Sequence, residues 1–165
     1  MRSIVFIGTS LDGFIARKNG DIDWLVHYAN NEAVLSYEKF MSRIDAIVIG
    51  RGTFEKVFSF PSWPYHKNVF VLSTSIKEAP AAVKEKVTIL SMKPAELLVY
   101  LSGKGFSSIY VDGGKVIQDF LKEDLIDELI ISKVPVLIGS GIPLFGYLDS
   151  DLQFTHHRTE TGSNG

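Results

Sequence analysis

The chain alternates short apolar runs with helical patterns, and this order constrains the fold more than any other feature of the sequence. Because the apolar runs have almost no polar positions, both faces of the sheet they form must be covered. Helical patterns lie between most of them, including one that Asn30 or Asn31 would cap. The chain therefore predicts a single α/β domain over residues 1–165. The predicted strands are Ile4–Ile7, Ala46–Ile49, Val69–Leu72, Val87–Leu90 and Ile109–Val111.

Near the C-terminus this alternation gives way to consecutive strands. An apolar run at Leu129–Ile138 and a weaker alternating run at Leu152–His156 follow without a clear helix between them. Consecutive strands predict a mixed, mostly parallel central sheet with helices on both faces. Pro135 has no amide to donate, so the first of these strands is predicted to lie at an edge. Since an apolar edge is commonly covered by a second copy of the chain, we expect a homodimer.

Composition excludes several classes of function. Seventeen basic and nineteen acidic residues give a net charge of −2, without the basic patch that nucleic-acid binding needs. The absence of cysteine excludes disulfides, thiolate metal sites and a cysteine nucleophile. His156 and His157 would point to opposite faces of a strand, so no metal site is expected. No run has the length of a signal peptide or membrane span, which predicts a cytoplasmic protein without membrane partners.

The run Ile109–Val111 ends in Asp-Gly-Gly and passes directly into a helical pattern. Gly113 and Gly114 allow a sharp turn whose amides point outward, where a diphosphate would sit at the N-terminus of the following helix. Lys115 adds a cation. A tight strand-to-helix connection without a ligand explains the same residues, because no complete nucleotide-binding fingerprint is present.

A similar junction follows the run Ala46–Ile49, where Gly50 leads into a second helical pattern. Arg51 would pair with a phosphate, and Thr53 would cap the helix or donate to the same anion. The alternatives are a solvated arginine and a simple cap. The run Val69–Leu72 ends in a third polar segment, Ser-Thr-Ser. Together, these strand ends indicate one elongated, phosphate-bearing ligand.

In this order, the motifs resemble the dihydrofolate-reductase fold. They are most similar to the C-terminal reductase domain of the bifunctional deaminase-reductases of riboflavin biosynthesis and its free-standing relatives. The resemblance implies a three-layer fold and NADPH-dependent reduction of a small heterocycle, as in a 5-amino-6-(5-phosphoribosylamino)uracil reductase. A dihydrofolate or pterin reductase and a non-catalytic NADP-binding module are the alternatives. The matching segments are residues 10–16, 20–24, 45–53, 71–74, 111–114, 125–129 and 135–145.

The resemblance also implies which residues bind NADPH. Ser73 and Thr74 would meet the 2′-phosphate, and Thr9 would lie by the nicotinamide. The full set implied for the cofactor is Thr9, Ile15, Ala16, Gly50, Arg51, Thr53, Ser73, Thr74, Gly113, Gly114, Lys115 and Val116. The acidic residues expected nearest the cleft, and so the candidates for the proton donor, are Asp12, Asp21 and Asp23.

The chain departs from this family where the substrate is expected. Counting from Trp24, the carboxylate of folate reductases falls near Ala29, where this chain has no acid. Residues 54–64 lack the Asp-Asn-Pro segment and the basic residues found there in the riboflavin-pathway domain. The closing strand of the fold is expected after the chain's last residue, since Asn164-Gly165 is a typical hairpin turn.

Overall fold

The order of the elements follows the alternation that the sequence predicts. The computed structural model describes residues 1–163, so the predicted turn at Asn164-Gly165 lies outside the described residues. Along the chain the elements are β1 (Arg2–Thr9), β2 (Phe14–Ala16), α1 (Asp23–Val26), α2 (Asn31–Met41), β3 (Ala46–Gly50), α3 (Arg51–Phe58), β4 (Asn68–Leu72), β5 (Val87–Leu90), α4 (Pro94–Gly103), β6 (Ser108–Asp112), α5 (Gly114–Lys122), β7 (Glu128–Lys133) and β8 (Ile142–Pro143).

Six strands form the central sheet in the order β5-β4-β3-β6-β1-β7, and each neighbouring pair runs parallel. Parallel neighbours require crossover connections, which α2, α3, α4 and α5 help to provide. The antiparallel pairing lies outside this sheet, in a two-stranded ribbon formed by β2 and β8. The predicted α/β class with a mostly parallel sheet is therefore confirmed.

Helices cover both faces of the sheet. On one face, Leu97 of α4 and Phe120 of α5 are buried in an apolar cluster with Val48 and Val111. On the other face, the buried residues come from α2, α3 and the opposite sides of the same strands. Because neighbouring residues of a strand point to opposite faces, each central strand contributes to both clusters. This explains why the central strands have uniformly apolar sequences.

Asn30 caps α2 as predicted, since its side chain accepts a hydrogen bond from the backbone N–H of Ala33 at 2.9 Å. The spacing of Val34, Tyr37, Met41 and Ile44 predicts that these residues share one apolar face, and the structure differs from this in part. Val34 is exposed, whereas Phe40 is buried. Within residues 1–163, no helix has the length and apolar character needed to cross a membrane.

Two predicted strands need correction. The run Leu129–Ile138 forms a strand only as far as Lys133, which pairs with Thr9 at the end of β1. Beyond this point β1 offers no further partner, and Pro135 has no amide to donate. The run Leu152–His156 forms no strand, although Leu152 packs against the α4–α5 side of the core.

Candidate functional site

The carboxyl ends of four neighbouring strands, β4, β3, β6 and β1, form a row along one edge of the sheet. Gly50 pairs with Leu72, and Ile49 pairs with Asp112, so β4, β3 and β6 end nearly level with one another, whereas β1 runs on to Thr9. Neighbouring strands are about 4.8 Å apart, and the row therefore spans about 15 Å. In open α/β sheets, this edge is where ligands bind.

The N-termini of α3 and α5 meet in the middle of the row. A Cβ added to Gly113 would collide with Oγ1 of Thr53 and would lie 4.0 Å from the backbone N of Gly50. Gly113 also has φ +94°, a left-handed conformation that favours glycine. A Cβ at Gly50 would in turn lie 2.9 Å from Val116. Both helices thus direct their free N–H groups to one place, where an anion is stabilised.

The ribbon of β2 and β8 covers the start of α5. A Cβ at Gly114 would lie 2.8 Å from Cγ2 of Ile142 and 3.3 Å from Cδ1 of Ile15. Ala16, the last residue of β2, pairs with Ile142. Gln118 of α5 fixes the ribbon by donating a hydrogen bond to the carbonyl of Pro143 at 2.9 Å. Ile15 and Ala16 therefore lie close to the glycine turn.

Charged and hydroxyl side chains follow the strand ends near this glycine turn, and they differ in the partners that hold them. Arg51 is exposed and lies 3.6 Å from Glu55, in a surface ion pair that would cost little to open. Lys115 is paired with Asp119 of its own helix. Ser73 follows β4 at the same edge, and its hydroxyl accepts the backbone N–H of Ile76 at 3.0 Å. The row therefore combines a glycine cradle, two helix N-termini and a cation, which fits a dinucleotide with its phosphates at the helices.

The three acidic residues predicted as candidates for the proton donor form hydrogen bonds or ion pairs with other residues of the protein. Asp12 accepts the backbone N–H of Gly139 at 2.7 Å, and Asp21 is paired with Lys56. Asp23 accepts hydrogen bonds from Nε and Nη2 of Arg17 at 2.6 and 2.9 Å. Hydrogen bonds from Ser10, Lys56 and Arg17, respectively, lower the pKa of each carboxyl. All three are consequently ionised at neutral pH, so the geometry does not favour them as proton donors.

Asp112 has the opposite electrostatic character, although its sequence pattern predicts no catalytic role for it. It is the last residue of β6, is only partly exposed, and accepts the backbone N–H of Gly113 at 2.8 Å. Burial raises the pKa of its carboxyl to about 6, although hydrogen bonds from Gly113 and Tyr110 oppose the shift. The sequence places this carboxyl directly before the glycine turn at the end of β6, and that position is the signal that could have identified it. Asp112 can therefore hold or release a proton near neutral pH.

The chain is similar to known proteins along most of its sequence. The family model of the RibD C-terminal domain matches residues 3–165. The uncharacterised protein YwjB of Bacillus subtilis (strain 168) is 35% identical over 152 residues, which cover 91% of this chain and 86% of YwjB. The similarity therefore extends over nearly the whole chain.

Solved structures resemble this fold closely. A protein from Shewanella sp. PV-4, provisionally assigned to riboflavin biosynthesis, has a TM-score of 0.91 and 47% identity, covering 97% of this chain and 92% of its own. A pyrimidine reductase-like protein from Corynebacterium diphtheriae has a TM-score of 0.71 and 18% identity, covering 99% and 88%. A diaminohydroxyphosphoribosylaminopyrimidine deaminase/5-amino-6-(5-phosphoribosylamino)uracil reductase from Thermotoga maritima has a TM-score of 0.72 and 17% identity, covering 94% and 50%. The last two share the fold.

Proposed function

The chain belongs to the family of the RibD C-terminal domain, and on that premise we propose that it is a cytoplasmic, NADPH-dependent reductase of a small heterocycle of the pyrimidine type. The observation that carries the proposal is the contact of Gly113 with Thr53, which joins two helix N-termini in a row of four strand ends. This arrangement supports an extended cofactor that runs from β4 to β1.

In this proposal, each part of the row of strand ends contacts a different part of NADPH. The N–H groups at the starts of α3 and α5 hold the diphosphate, and Arg51 opens its surface pair to add a charge-assisted bond. Ser73 and Thr74, at the end of β4, meet the 2′-phosphate, which favours NADPH over NADH. Thr9, at the end of β1, borders the nicotinamide together with the β2–β8 ribbon. When bound, NADPH supplies the hydride.

Asp112 is the group that we propose supplies the proton. Reduction of a C=N or C=O bond places a hydride on carbon and a proton on nitrogen or oxygen, so the enzyme needs an acid next to the ring. With a pKa raised to about 6, the carboxyl of Asp112 is partly protonated near neutral pH. Burial raises the pKa of Tyr37, Tyr65 and Tyr110 above the usual tyrosine value, so these hydroxyls stay neutral. Activity should therefore fall as the pH rises above about 6.

The outer edge of the sheet supports a homodimer. β7 has a strand partner on one side only, and Ile131 on this strand is exposed. In the segments that follow it, Leu137 is 71% exposed and Tyr147 is 77% exposed. Unpaired strand edges with apolar neighbours are commonly covered by a second copy about a two-fold axis. We propose that β7 and these segments form that interface.

Titration of NADPH and NADH, followed by nucleotide fluorescence, tests the cofactor assignment. NADPH should bind more tightly, and Arg51→Ala should weaken it roughly ten- to hundredfold, because a charge-assisted hydrogen bond contributes about 1.5–3 kcal/mol. Arg158→Ala is the matched control, since Arg158 also forms an exposed ion pair, with Glu160. Equal binding of the two cofactors, or an unchanged affinity in Arg51→Ala, would contradict the assignment.

Oxidation of NADPH in the presence of a panel of pyrimidines and pterins separates an enzyme from a binding module. We expect turnover with a pyrimidine, and a loss of about 10²–10⁴-fold in Asp112→Asn, the usual contribution of a general acid. NADPH should still bind to this variant. Tight NADPH binding without turnover of any ring would favour the non-catalytic module, and preferred turnover of pterins would favour the folate-type alternative.

A further inference from the structure

A cavity of about 370 Å³ lies beside the carboxyl ends of β1 and β7, and we call it the β1–β7 cavity. Its lining comes from the loop after β1, from Ile131 and Lys133 of β7, and from Leu144 and Phe145 after β8. Sites for small molecules begin at roughly 300 Å³, so this cavity has room for a ligand of about one ring. β7 lies on the far side of β1 from the row of strand ends that the proposed function assigns to the cofactor.

Backbone hydrogen bonds fix the walls of the β1–β7 cavity to one another. The carbonyl of Thr9 accepts the N–H of Val134 at 2.9 Å, which joins the end of β1 to the end of β7. The carbonyl of Gly13 accepts the N–H of Leu144 at 3.0 Å, which joins the loop after β1 to the segment after β8. Because the walls are held in place before a ligand arrives, binding costs less conformational entropy.

Two polar side chains of the β1–β7 cavity have no hydrogen-bonding partner. Thr9 and Lys133 are paired residues of neighbouring parallel strands, so their side chains lie on the same face of the sheet. Thr9 is only 2% exposed, yet within residues 1–163 its hydroxyl forms no hydrogen bond. Lys133 is exposed, and its ammonium group forms no ion pair or hydrogen bond with the described residues. A ligand with an acceptor group would recover the free energy that the buried, unpaired hydroxyl costs.

The β1–β7 cavity also contains the carboxylate of Asp12, whose two oxygens are already occupied. Oδ1 accepts the N–H of Ile138 at 3.3 Å, and Oδ2 accepts the N–H of Gly139 at 2.7 Å. Lys133 is therefore the one cation of the lining and can balance one negative charge of a ligand. A phosphate group carries up to two negative charges at neutral pH, and the second would remain uncompensated beside Asp12. The charges of the lining thus favour a carboxylate over a phosphate.

The rest of the lining is apolar and partly open to solvent. Leu144 is buried, whereas Leu11 is 50% exposed, Ile131 is 39% exposed and Phe145 is 52% exposed. Covering such side chains with the apolar body of a ligand is favourable, because it removes their surface from water. The ring of Phe145 also offers a flat face on which an aromatic ring can pack.

We infer that the β1–β7 cavity is a binding site, separate from the cofactor row, for a small apolar molecule that carries one carboxylate group. The carboxylate accepts hydrogen bonds from Lys133 and from the hydroxyl of Thr9, and the apolar body lies against Leu11, Ile131 and Phe145. This inference goes beyond the proposed function, and it holds or fails without reference to NADPH.

Titration of isotope-labelled protein in the absence of cofactor, followed by NMR, tests the inference with benzoate as the probe. We expect saturable shifts of the amide signals of Gly13, Lys133 and Phe145. Benzoate should bind about tenfold more tightly than benzamide, its neutral analogue, because benzamide forms no charge-assisted hydrogen bond with Lys133. Phenyl phosphate should also bind more weakly than benzoate.

Two variants with matched controls identify the groups that bind the probe. Lys133→Gln should remove the preference for benzoate over benzamide, whereas Lys84→Gln, at an exposed lysine before β5, should keep it. Phe145→Ala should weaken both ligands roughly three- to tenfold, because part of the apolar lining is lost. Phe154→Ala is its control, since Phe154 is 47% exposed and does not line the cavity.

The possible outcomes separate this inference from the proposed function. The absence of saturable shifts at these amides, equal binding of benzamide, or tighter binding of phenyl phosphate would overturn the inference. A preference for benzoate that survives in Lys133→Gln would do the same. If NADP displaces benzoate, the cavity belongs to the cofactor site, so the inference of a separate site fails while the reductase proposal stands. If benzoate binds as expected and NADP does not bind at all, the reductase proposal fails and the inference stands.

Discussion

Replacement of Asp112 by asparagine should stabilise the fold, and the gain should grow as the pH rises. The pKa of this carboxyl is raised from 3.8 to about 6, so the folded state disfavours its ionised form. Stability is therefore unaffected well below pH 3.8, decreases as the pH rises from about 4 to 6, and is constant above that range. Since one pKa unit corresponds to 1.36 kcal/mol, the wild type loses about 3 kcal/mol at pH 8 and about 1.5 kcal/mol at pH 5. Asparagine has nearly the same shape, cannot ionise and still accepts the N–H of Gly113.

Urea unfolding of both proteins at pH 5 and pH 8 measures this difference. Asp112→Asn should be more stable by about 3 kcal/mol at pH 8, which for a chain of this size raises Tm by roughly 6–12 °C. About half of the gain should remain at pH 5. A pH-independent difference, or a variant that is less stable than the wild type at pH 8, would show that burial does not strain this carboxylate. The experiment measures no activity, so it examines the electrostatics of the site independently of the reaction.

Further predictions concern other parts of the fold. Gly52→Ala should raise the free energy of unfolding by up to about 1 kcal/mol, because α3 prefers alanine and nothing lies within 4 Å of the added Cβ. Gly113→Ala should lower the free energy of unfolding by at least about 1–3 kcal/mol, measured by the same urea unfolding, because its φ is +94° and the Cβ meets Thr53. Asp45→Asn should destabilise the protein at neutral pH but not near pH 2, because hydrogen bonds from Ser107 lower the pKa of Asp45 to about 2 and its contribution is lost as the pH falls from 3.8 to 2. Light scattering at micromolar concentration should give a dimer mass, and a monomer would exclude the β7 interface.

The central sheet could be predicted from sequence because its strands are buried on both faces. Runs such as Ala46–Ile49 and Val69–Leu72 are uniformly apolar, and the structure contains both as strands. The β2–β8 ribbon could not be predicted in this way. Its strands have three and two residues, and each depends on a partner more than 120 positions away. The sequence also predicts a longer β7 than the structure contains, because the end of this strand is determined by where β1 stops and not by its own composition.

The row of strand ends and its glycine turns could be predicted in outline, whereas the proposed proton donor could not. Glycine is required where Gly113 contacts Thr53, so the sequence itself marks this junction. By contrast, the three acids predicted near the N-terminus have hydrogen-bond and ion-pair partners that sequence does not reveal, such as Lys56 for Asp21. The pKa of the Asp112 carboxyl is raised by burial, although hydrogen bonds from Gly113 and Tyr110 oppose the shift. Such a pKa shift follows from burial, which only the assembled fold determines.

The position of β1 between β6 and β7 has a consequence for synthesis on the ribosome. β1 emerges first, but Arg2 pairs with Ser108 and Ile4 pairs with Glu128, so neither neighbour exists until about 100 further residues have been made. At ~5–20 residues per second, this strand waits roughly 5–20 s with both edges open. β3, β4 and β5, which are consecutive in the chain, can pair with one another during this time. Apolar segments with two open edges are prone to aggregation, so we expect the nascent chain to be most exposed to misfolding before β6 appears.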